Sequence, residues 1–102
     1  METFQEHYDS LMRTIATRNM NVDMDAIERA IRYAENKHAS QKRKDGSPYI
    51  IHPLAVAEIV AEIGLDTDAI LGALLHDCIE DTDSTYDEIA RQFGSTVAAL
   101  VE

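Results

Sequence analysis

The chain has 102 residues, of which 45% are hydrophobic, and its 19 acidic against 9 basic residues give a formal charge of −10. This composition indicates one small globular domain and excludes a disordered tail. The acidity argues against a protein that binds nucleic acid or anionic membranes, because such proteins need a broad basic surface. No stretch of about 18 apolar residues suits a transmembrane helix. The single cysteine, Cys78, cannot form an internal disulfide, and we expect a protein of the reducing cytoplasm.

The N-terminal half of the sequence predicts two helices and a loop. Apolar residues recur at three- and four-residue steps over residues 4–18, which is the period of an amphipathic helix. After the break NMNVD, Asp23 is the expected N-cap of a second helix that runs to about Ser40. Residues 41–51 predict a loop, because they contain an Asp-Gly turn signal and a proline that disfavours helix at the residue before it.

The C-terminal half predicts four further helices and no strand. A third helix opens at His52-Pro53, since proline is tolerated in a first turn. The fourth begins with the apolar run AILGALL, which favours a buried central position. The third helix is predicted over 52–64, with Gly64 at its end, and the fourth over 67–80, with Asp66 as N-cap. The fifth is predicted over 85–94, with a capping box of Thr85 and Glu88, and the sixth over 95–102. We therefore predict an all-α fold of five or six helices.

The most informative stretch is LLHDCIEDT, at the end of the predicted fourth helix. His76 and Glu80 are one helical turn apart there, as are Asp77 and Asp81, so the four side chains should share one flank. Acidic groups at a helix C-terminus are disfavoured by about 0.3–1 kcal/mol each, and neighbouring carboxylates repel. A divalent cation would relieve both effects, because imidazole and carboxylate together suit zinc, manganese or iron. The alternative is a polar helix end that faces water.

Three further residues are candidates for the site or the core. His52 follows an apolar Ile-Ile pair, which favours an inward-pointing side chain, although a structural histidine is the alternative. His38 continues the apolar stripe of the second helix, so we predict a core histidine hydrogen-bonded to backbone. We expect Cys78 to be a small core residue.

A run of three basic residues, Lys42, Arg43 and Lys44, lies in the predicted loop. A solvated loop is the ordinary explanation for such a run. In so acidic a protein, however, it could offset the negative field locally and hold an anionic substrate, because Arg and Lys both pair with phosphate.

The segments HASQKRKDGSPYIIHP, LAVAEIVAEIGLD, ALLHDCIEDT and TYDEIARQFGSTVAALVE resemble, in this order, the alarmone hydrolase domain of the RelA/SpoT family. This family is a branch of the HD-domain metal phosphohydrolases. The resemblance covers about residues 22–102, with residues 1–21 as a leading helix. It implies a helical HD bundle and manganese-dependent removal of the 3′-pyrophosphate of the guanosine tetra- and pentaphosphates ppGpp and pppGpp, which leaves GDP or GTP. A different divalent metal, a non-catalytic regulatory or assembly module, and a phosphohydrolase of another nucleotide remain alternatives.

The resemblance also implies roles for individual residues. Three match the metal ligands of the family: His52, His76 and Asp77. Two match the acidic pair that positions or activates the attacking water: Glu80 and Asp81. The basic pair Arg43 and Lys44, with Lys42 beside it, matches the residues that hold the nucleotide, and His38, Pro48 and Tyr49 match mostly architectural positions. Because the His76-Asp77 pair and the Glu80-Asp81 pair are both intact, we expect a hydrolase-competent site.

One feature of the family is missing from this sequence. The resemblance implies a fourth ligand, an aspartate on a later helix in a segment similar to LADRLHN, and no aspartate here has that context. We therefore expect the N-terminal portion of one hydrolase domain, with weak metal retention and little activity of its own. We also expect self-association through apolar faces left open around four residues: Leu71, Leu75, Val97 and Leu100.

Overall fold

The computed structural model describes residues 3–18 and 21–102, and within these ranges the all-α prediction is confirmed. The helices are α1 (Phe4–Thr17), α2 (Met24–Lys37), α3 (Ile51–Ile63), α4 (Thr67–Leu75), α5 (Cys78–Asp81), α6 (Tyr86–Phe93) and α7 (Ser95–Val101). In the described ranges the β-structure amounts to one antiparallel bridge, between Lys42 and Pro48. None of these helices is long and apolar enough to cross a membrane.

Local capping signals fix most of the helix ends. The carboxylates of Asp23 and Asp66 each accept a backbone N–H of the first turn, at 3.0 Å, and start α2 and α4. Gly64 ends α3 in a left-handed conformation, with φ of 88°, which glycine adopts at little cost. α2 ends at Lys37 rather than near Ser40.

The predicted fourth helix is two helices, and this is the main correction to the sequence analysis. α4 ends at Leu75, and a turn at His76 and Asp77 separates it from α5. The Nδ1 atom of His76 lies 2.6 Å from the carbonyl oxygen of Ala73. A continuous α-helix would give this carbonyl to the backbone N–H of Asp77. The His76 side chain therefore competes with the helix at the point where it breaks.

The predicted open apolar face is largely closed. Leu71, Leu75 and Val97 are all buried, so the prediction that they are exposed is wrong for these three. The reason is that α2, α3 and α7 all pack against α4, and that α7 also packs against α6. Leu100 is 60% exposed, as predicted. Self-association stays a prediction.

A polar network connects α2 to the start of α6. It consists of Tyr33, Lys37, Asp83, Ser84 and Glu88, and we call it the Lys37 network. The lysine Nζ lies 2.8 Å from Asp83 and 3.2 Å from Glu88, while the Tyr33 hydroxyl donates to Glu88 and lies 2.8 Å from the Ser84 hydroxyl. The capping box predicted at α6 is thus half present: Thr85 accepts the Glu88 N–H, but the Glu88 carboxylate turns towards α2.

Candidate metal centre

Three residues predicted as metal ligands meet where α3 begins and α4 ends. His52 lies in the first turn of α3, and His76 and Asp77 form the turn between α4 and α5. One ligand atom from each of the three lies within 4.8 Å of the other two. Atom Oδ2 of Asp77 is 3.2 Å from Nε2 of His76 and 3.5 Å from Nε2 of His52. The fold therefore brings together residues that are far apart in the sequence.

The hydrogen bond of His76 determines which of its nitrogens is free. The carbonyl of Ala73 only accepts, so Nδ1 of His76 is the donor in their 2.6 Å contact. In the neutral ring, Nε2 then carries a lone pair, and this atom is the one beside Asp77. Metal-bound histidines are commonly oriented in this way, by donating the other ring N–H to a carbonyl. The histidine thus has the tautomer and orientation of a metal ligand.

The charges around Asp77 also favour a cation. Its side chain is only 19% exposed, and among the described residues no lysine or arginine forms an ion pair with it; the nitrogen atoms beside it belong to the two imidazoles. A neutral His76 directs a lone pair at the carboxylate, which is repulsive unless a cation or a proton lies between them. Two imidazoles and a carboxylate are a donor set that suits divalent transition metals. The three residues therefore fit a metal ion.

Tyr49 lies directly against this cluster. Its hydroxyl is 2.8 Å from Oδ2 of Asp77 and 3.3 Å from Oδ2 of Asp81. Burial, and then the hydrogen bond and charge of Asp77, raise the pKa of Tyr49 well above its usual value, so the phenol is a neutral donor. The RelA/SpoT resemblance implies a mostly architectural role for Tyr49, and a loop residue has no helical periodicity that would mark it as part of the site.

Glu80 and Asp81 lie on α5, outside the three-residue cluster, and both are exposed. The prediction that they share a flank with His76 and Asp77 assumed a continuous helix, so the break removes that spacing argument. It also removes the argument from a single crowded helix C-terminus. Asp81 is nevertheless held near the cluster, since Tyr49 reaches its carboxylate and Gln41 donates to its backbone carbonyl at 2.7 Å. The catalytic role of the two acids stays a prediction.

His38 is a core residue, as predicted, and is only 2% exposed. Its predicted hydrogen bond to backbone is wrong: the ring contacts the side-chain oxygen of Gln41 at 3.0 Å and the sulfur of Cys78 at 3.8 Å. Burial raises the pKa of Cys78 to about 12, so the thiol stays protonated and packs as a small core group. The His38 ring also lies on that of Tyr49, with centroids 4.6 Å apart.

The predicted basic run lines an open cavity next to the cluster. We call residues 41–50 the basic loop. The cavity has a volume of about 490 Å³ and is lined by Lys42, Arg43, Lys44, Asp45 and Tyr49. The three basic residues are exposed. Since Tyr49 lines the cavity and its hydroxyl also donates to Asp77, the cavity adjoins the candidate metal centre.

Comparison with known proteins identifies the family. The profile of the HD domain family matches residues 30–102. The chain belongs to the HD domain family. The resemblance of this HD domain to that of the RelA/SpoT proteins is also confirmed, by relatives and by a solved structure.

Two curated relatives illustrate this likeness. The domain is 59% identical over 76 residues to the guanosine-3′,5′-bis(diphosphate) 3′-pyrophosphohydrolase of Aquifex aeolicus, a match that covers 74% of the chain and 11% of that protein. It is 43% identical over 95 residues to the bifunctional (p)ppGpp synthase/hydrolase SpoT of Escherichia coli, covering 93% of the chain and 14% of that protein. The chain thus spans a small part of the length of these relatives.

The fold is similar to a solved structure of a metazoan ortholog of SpoT, a protein that hydrolyses ppGpp. The TM-score is 0.71 at 32% sequence identity, and the match covers 74% of this chain and 45% of that one. This HD domain therefore shares both sequence and fold with a part of the SpoT-like proteins.

Proposed function

We propose that this HD domain belongs to a metal-dependent hydrolase that removes the 3′-pyrophosphate of ppGpp and pppGpp. Water adds to the phosphorus bonded to the 3′ oxygen, the bond between them breaks, and the 3′ oxygen takes up a proton. The products are GDP or GTP and pyrophosphate. The observation that carries the proposal is the convergence of potential ligand atoms of His52, His76 and Asp77 within 4.8 Å, in a chain that is 59% identical over 76 residues to part of a 3′-pyrophosphohydrolase.

His52, His76 and Asp77 would hold the metal ion. Nε2 of His76 is free to ligate because Nδ1 donates to Ala73. A bound divalent cation supplies Lewis acidity, which activates water and polarises a phosphoryl oxygen. We propose Mn²⁺ as this cation on the basis of the RelA/SpoT resemblance, since the imidazole and carboxylate donors suit manganese as well as zinc or iron.

The basic loop would hold the substrate. Lys42, Arg43 and Lys44 concentrate positive charge at a cavity of about 490 Å³, in a chain whose formal charge is −10. A highly anionic nucleotide is therefore repelled by most of the surface and attracted here. Arginine can also stack on a planar base while pairing with phosphate, which suits a guanine nucleotide.

Glu80 and Asp81 are proposed to orient or deprotonate the attacking water. A general base must lie within hydrogen-bonding reach of the water, directly or through another water. Asp81 is the better supported of the two, because Tyr49 and Gln41 both contact it near the cluster. The carboxylate of Glu80 has no hydrogen bond or ion pair within the described part of the chain, so it is free to turn towards a substrate.

The proposal is tested by incubating the protein with Mn²⁺ and ppGpp and measuring pyrophosphate and GDP. The RelA/SpoT resemblance predicts a fourth ligand beyond the three proposed here, so we expect a longer chain that includes it to be active. The 102-residue chain should show little turnover. Hydrolysis of other nucleotides but not ppGpp by the longer chain would contradict the proposed substrate, and tight Mn²⁺ binding without hydrolysis would favour a regulatory module.

We propose a cytoplasmic location, because the one cysteine suits a reducing compartment.

A further inference from the structure

We infer that Tyr49 is a positioning residue that orients the carboxylate of Asp77 for metal binding. This inference rests on the proposed function, since it assigns a role at the same metal centre. It concerns a residue that only contacts a ligand and is not itself in the His52, His76 and Asp77 cluster.

The hydroxyl of Tyr49 acts on the ligand atom itself. It lies 2.8 Å from Oδ2 of Asp77, the oxygen nearest to both histidine Nε2 atoms. Asp81 is also within reach, at 3.3 Å, but a phenol has a single proton to donate. The shorter contact indicates that Asp77 is the principal acceptor. A charge-assisted bond of this kind holds the carboxylate in one orientation.

The ring of Tyr49 is itself held in place, which a positioning residue requires. One face lies on the ring of buried His38, with centroids 4.6 Å apart, and His52 packs edge-on at 5.9 Å. The backbone N–H of Tyr49 donates to the carbonyl of Gln41. The phenol therefore has little freedom to turn away from Asp77, and the carboxylate is orientated before any ion arrives.

Loss of the hydroxyl should weaken metal binding without dismantling the core. Partners that hydrogen-bond to metal ligands typically change metal affinity by about 10–100-fold when they are removed. Phenylalanine keeps the ring that packs on His38 and His52 and removes only the donor. We therefore expect Tyr49→Phe to lower the Mn²⁺ affinity of the chain by about 10–100-fold.

The chain offers a matched control. Tyr33 also donates to a carboxylate, that of Glu88, but it belongs to the Lys37 network and not to the metal centre. Mn²⁺ affinity is measured by electron paramagnetic resonance of the free ion for the 102-residue wild type, Tyr49→Phe and Tyr33→Phe. Denaturant unfolding of each metal-free protein measures stability separately. Replacement of Tyr49 by 4-fluorophenylalanine, which fills the space of the hydroxyl but cannot donate a proton, provides a second variant.

The expected result is a loss of Mn²⁺ affinity in both Tyr49 variants and an unchanged affinity in Tyr33→Phe. If the Tyr49 variants bind Mn²⁺ as tightly as wild type, this inference is overturned while the proposed function stands. An equal loss in Tyr33→Phe would also overturn it, because the effect would then be general loosening of the fold. A wild type that binds no Mn²⁺ even in a large excess of the ion would overturn both the inference and the proposed metal centre, since weak binding is expected of this chain.

Discussion

Two clusters in this molecule join a tyrosine to carboxylates, and they differ in what neutralises the negative charge. In the Lys37 network, the lysine Nζ lies within 3.2 Å of both Asp83 and Glu88. At the candidate metal centre, Asp77 meets a phenol and two imidazoles, and within the described ranges it has no lysine or arginine partner. The first cluster carries its own cation, whereas the second has donor atoms arranged around a position that a cation would fill.

We take this difference to distinguish a structural cluster from the proposed functional one. The Lys37 network connects α2 to the start of α6, and both of its carboxylates already contact a cation of the protein itself, the Lys37 ammonium. The metal centre lies beside an open, basic cavity and has half-exposed histidines. Disruption of the first should change stability and its pH dependence, and disruption of the second should change ligand binding.

The largest expected effect is that of His76→Ala on metal binding. Loss of a residue that only hydrogen-bonds to a metal ligand typically lowers metal affinity by about 10–100-fold. Removal of one of the three proposed ligands should have a larger effect, so we expect Mn²⁺ affinity to fall by at least about 100-fold. The change is measured by Mn²⁺ titration. His7→Ala, a histidine on α1 outside the cluster, and Lys37→Met should leave the affinity unchanged. Equal losses in all three variants would abolish the distinction between the two clusters.

The second effect concerns the basic loop. Arg43→Ala should weaken ppGpp binding by about tenfold, because one charge-assisted hydrogen bond contributes about 1.5–3 kcal/mol and part of it is lost to solvent at an exposed site. Binding is measured by calorimetry on a chain long enough to bind the nucleotide. Arg91→Ala, another exposed arginine, is the control. An unchanged affinity in Arg43→Ala would remove the main support for a nucleotide site at this loop.

The third effect is the pH dependence of stability that the Lys37 network contributes. The hydrogen bond from Lys37 lowers the pKa of Asp83, and those from Tyr33 and Lys37 lower the pKa of Glu88, from ordinary values of 3.8 and 4.5. The folded state therefore binds these protons less readily than the unfolded state. The resulting stability is present above about pH 4.5 and is lost as the pH falls through the lowered pKa values.

Lys37→Met should flatten part of this acid dependence, as measured by denaturant unfolding at a series of pH values. Arg32→Met is the control, because Arg32 is exposed and its Nη1 atom lies as far as 4.0 Å from Oε2 of Glu28. At the alkaline end, burial and the hydrogen bond to Glu88 raise the pKa of the Tyr33 hydroxyl from 10.0 to about 12. The contribution of this hydroxyl to the free energy of unfolding should therefore decline as the pH rises from 10.0 to about 12. A Lys37→Met profile identical to wild type would show that the lysine does not hold the network.

The smallest effect is expected at Leu100, which belongs to neither cluster. Leu100→Ser should change the free energy of unfolding by less than about 0.5 kcal/mol, because the side chain is 60% exposed. Its denaturation midpoint is the measurement. A loss of about 2 kcal/mol or more, as expected for truncating a buried leucine, would mean that the end of α7 is more deeply packed than described.

Most of the fold could be predicted because its signals are local. Asp23, Asp66 and Thr85 each cap the helix that follows them, and the helical period of the apolar residues needs only the neighbouring sequence. The break at His76 could not be predicted in this way, since it depends on a side-chain bond to the Ala73 carbonyl. The burial of Leu75 depends on the packing of other helices (α2, α3 and α7) around α4, which is tertiary information.

The candidate site shows the same division. The cluster of His76 and Asp77 was visible as an unusual run of polar residues, but the spacing argument for it assumed a helix that is interrupted. The link to His52 came from the RelA/SpoT resemblance and not from periodicity. The contacts of Tyr49 and Gln41 with the acids arise from the path of the basic loop, which sequence patterns do not specify.

The central claim is that His52, His76 and Asp77 form a metal centre. Its most direct test is the Mn²⁺-loaded 102-residue chain, with the couplings between the ion and nearby nitrogen nuclei measured by pulsed electron paramagnetic resonance. The account predicts one bound ion per chain with couplings to imidazole nitrogens that change in His52→Ala and in His76→Ala. Binding without nitrogen couplings, or no binding at all, would contradict it.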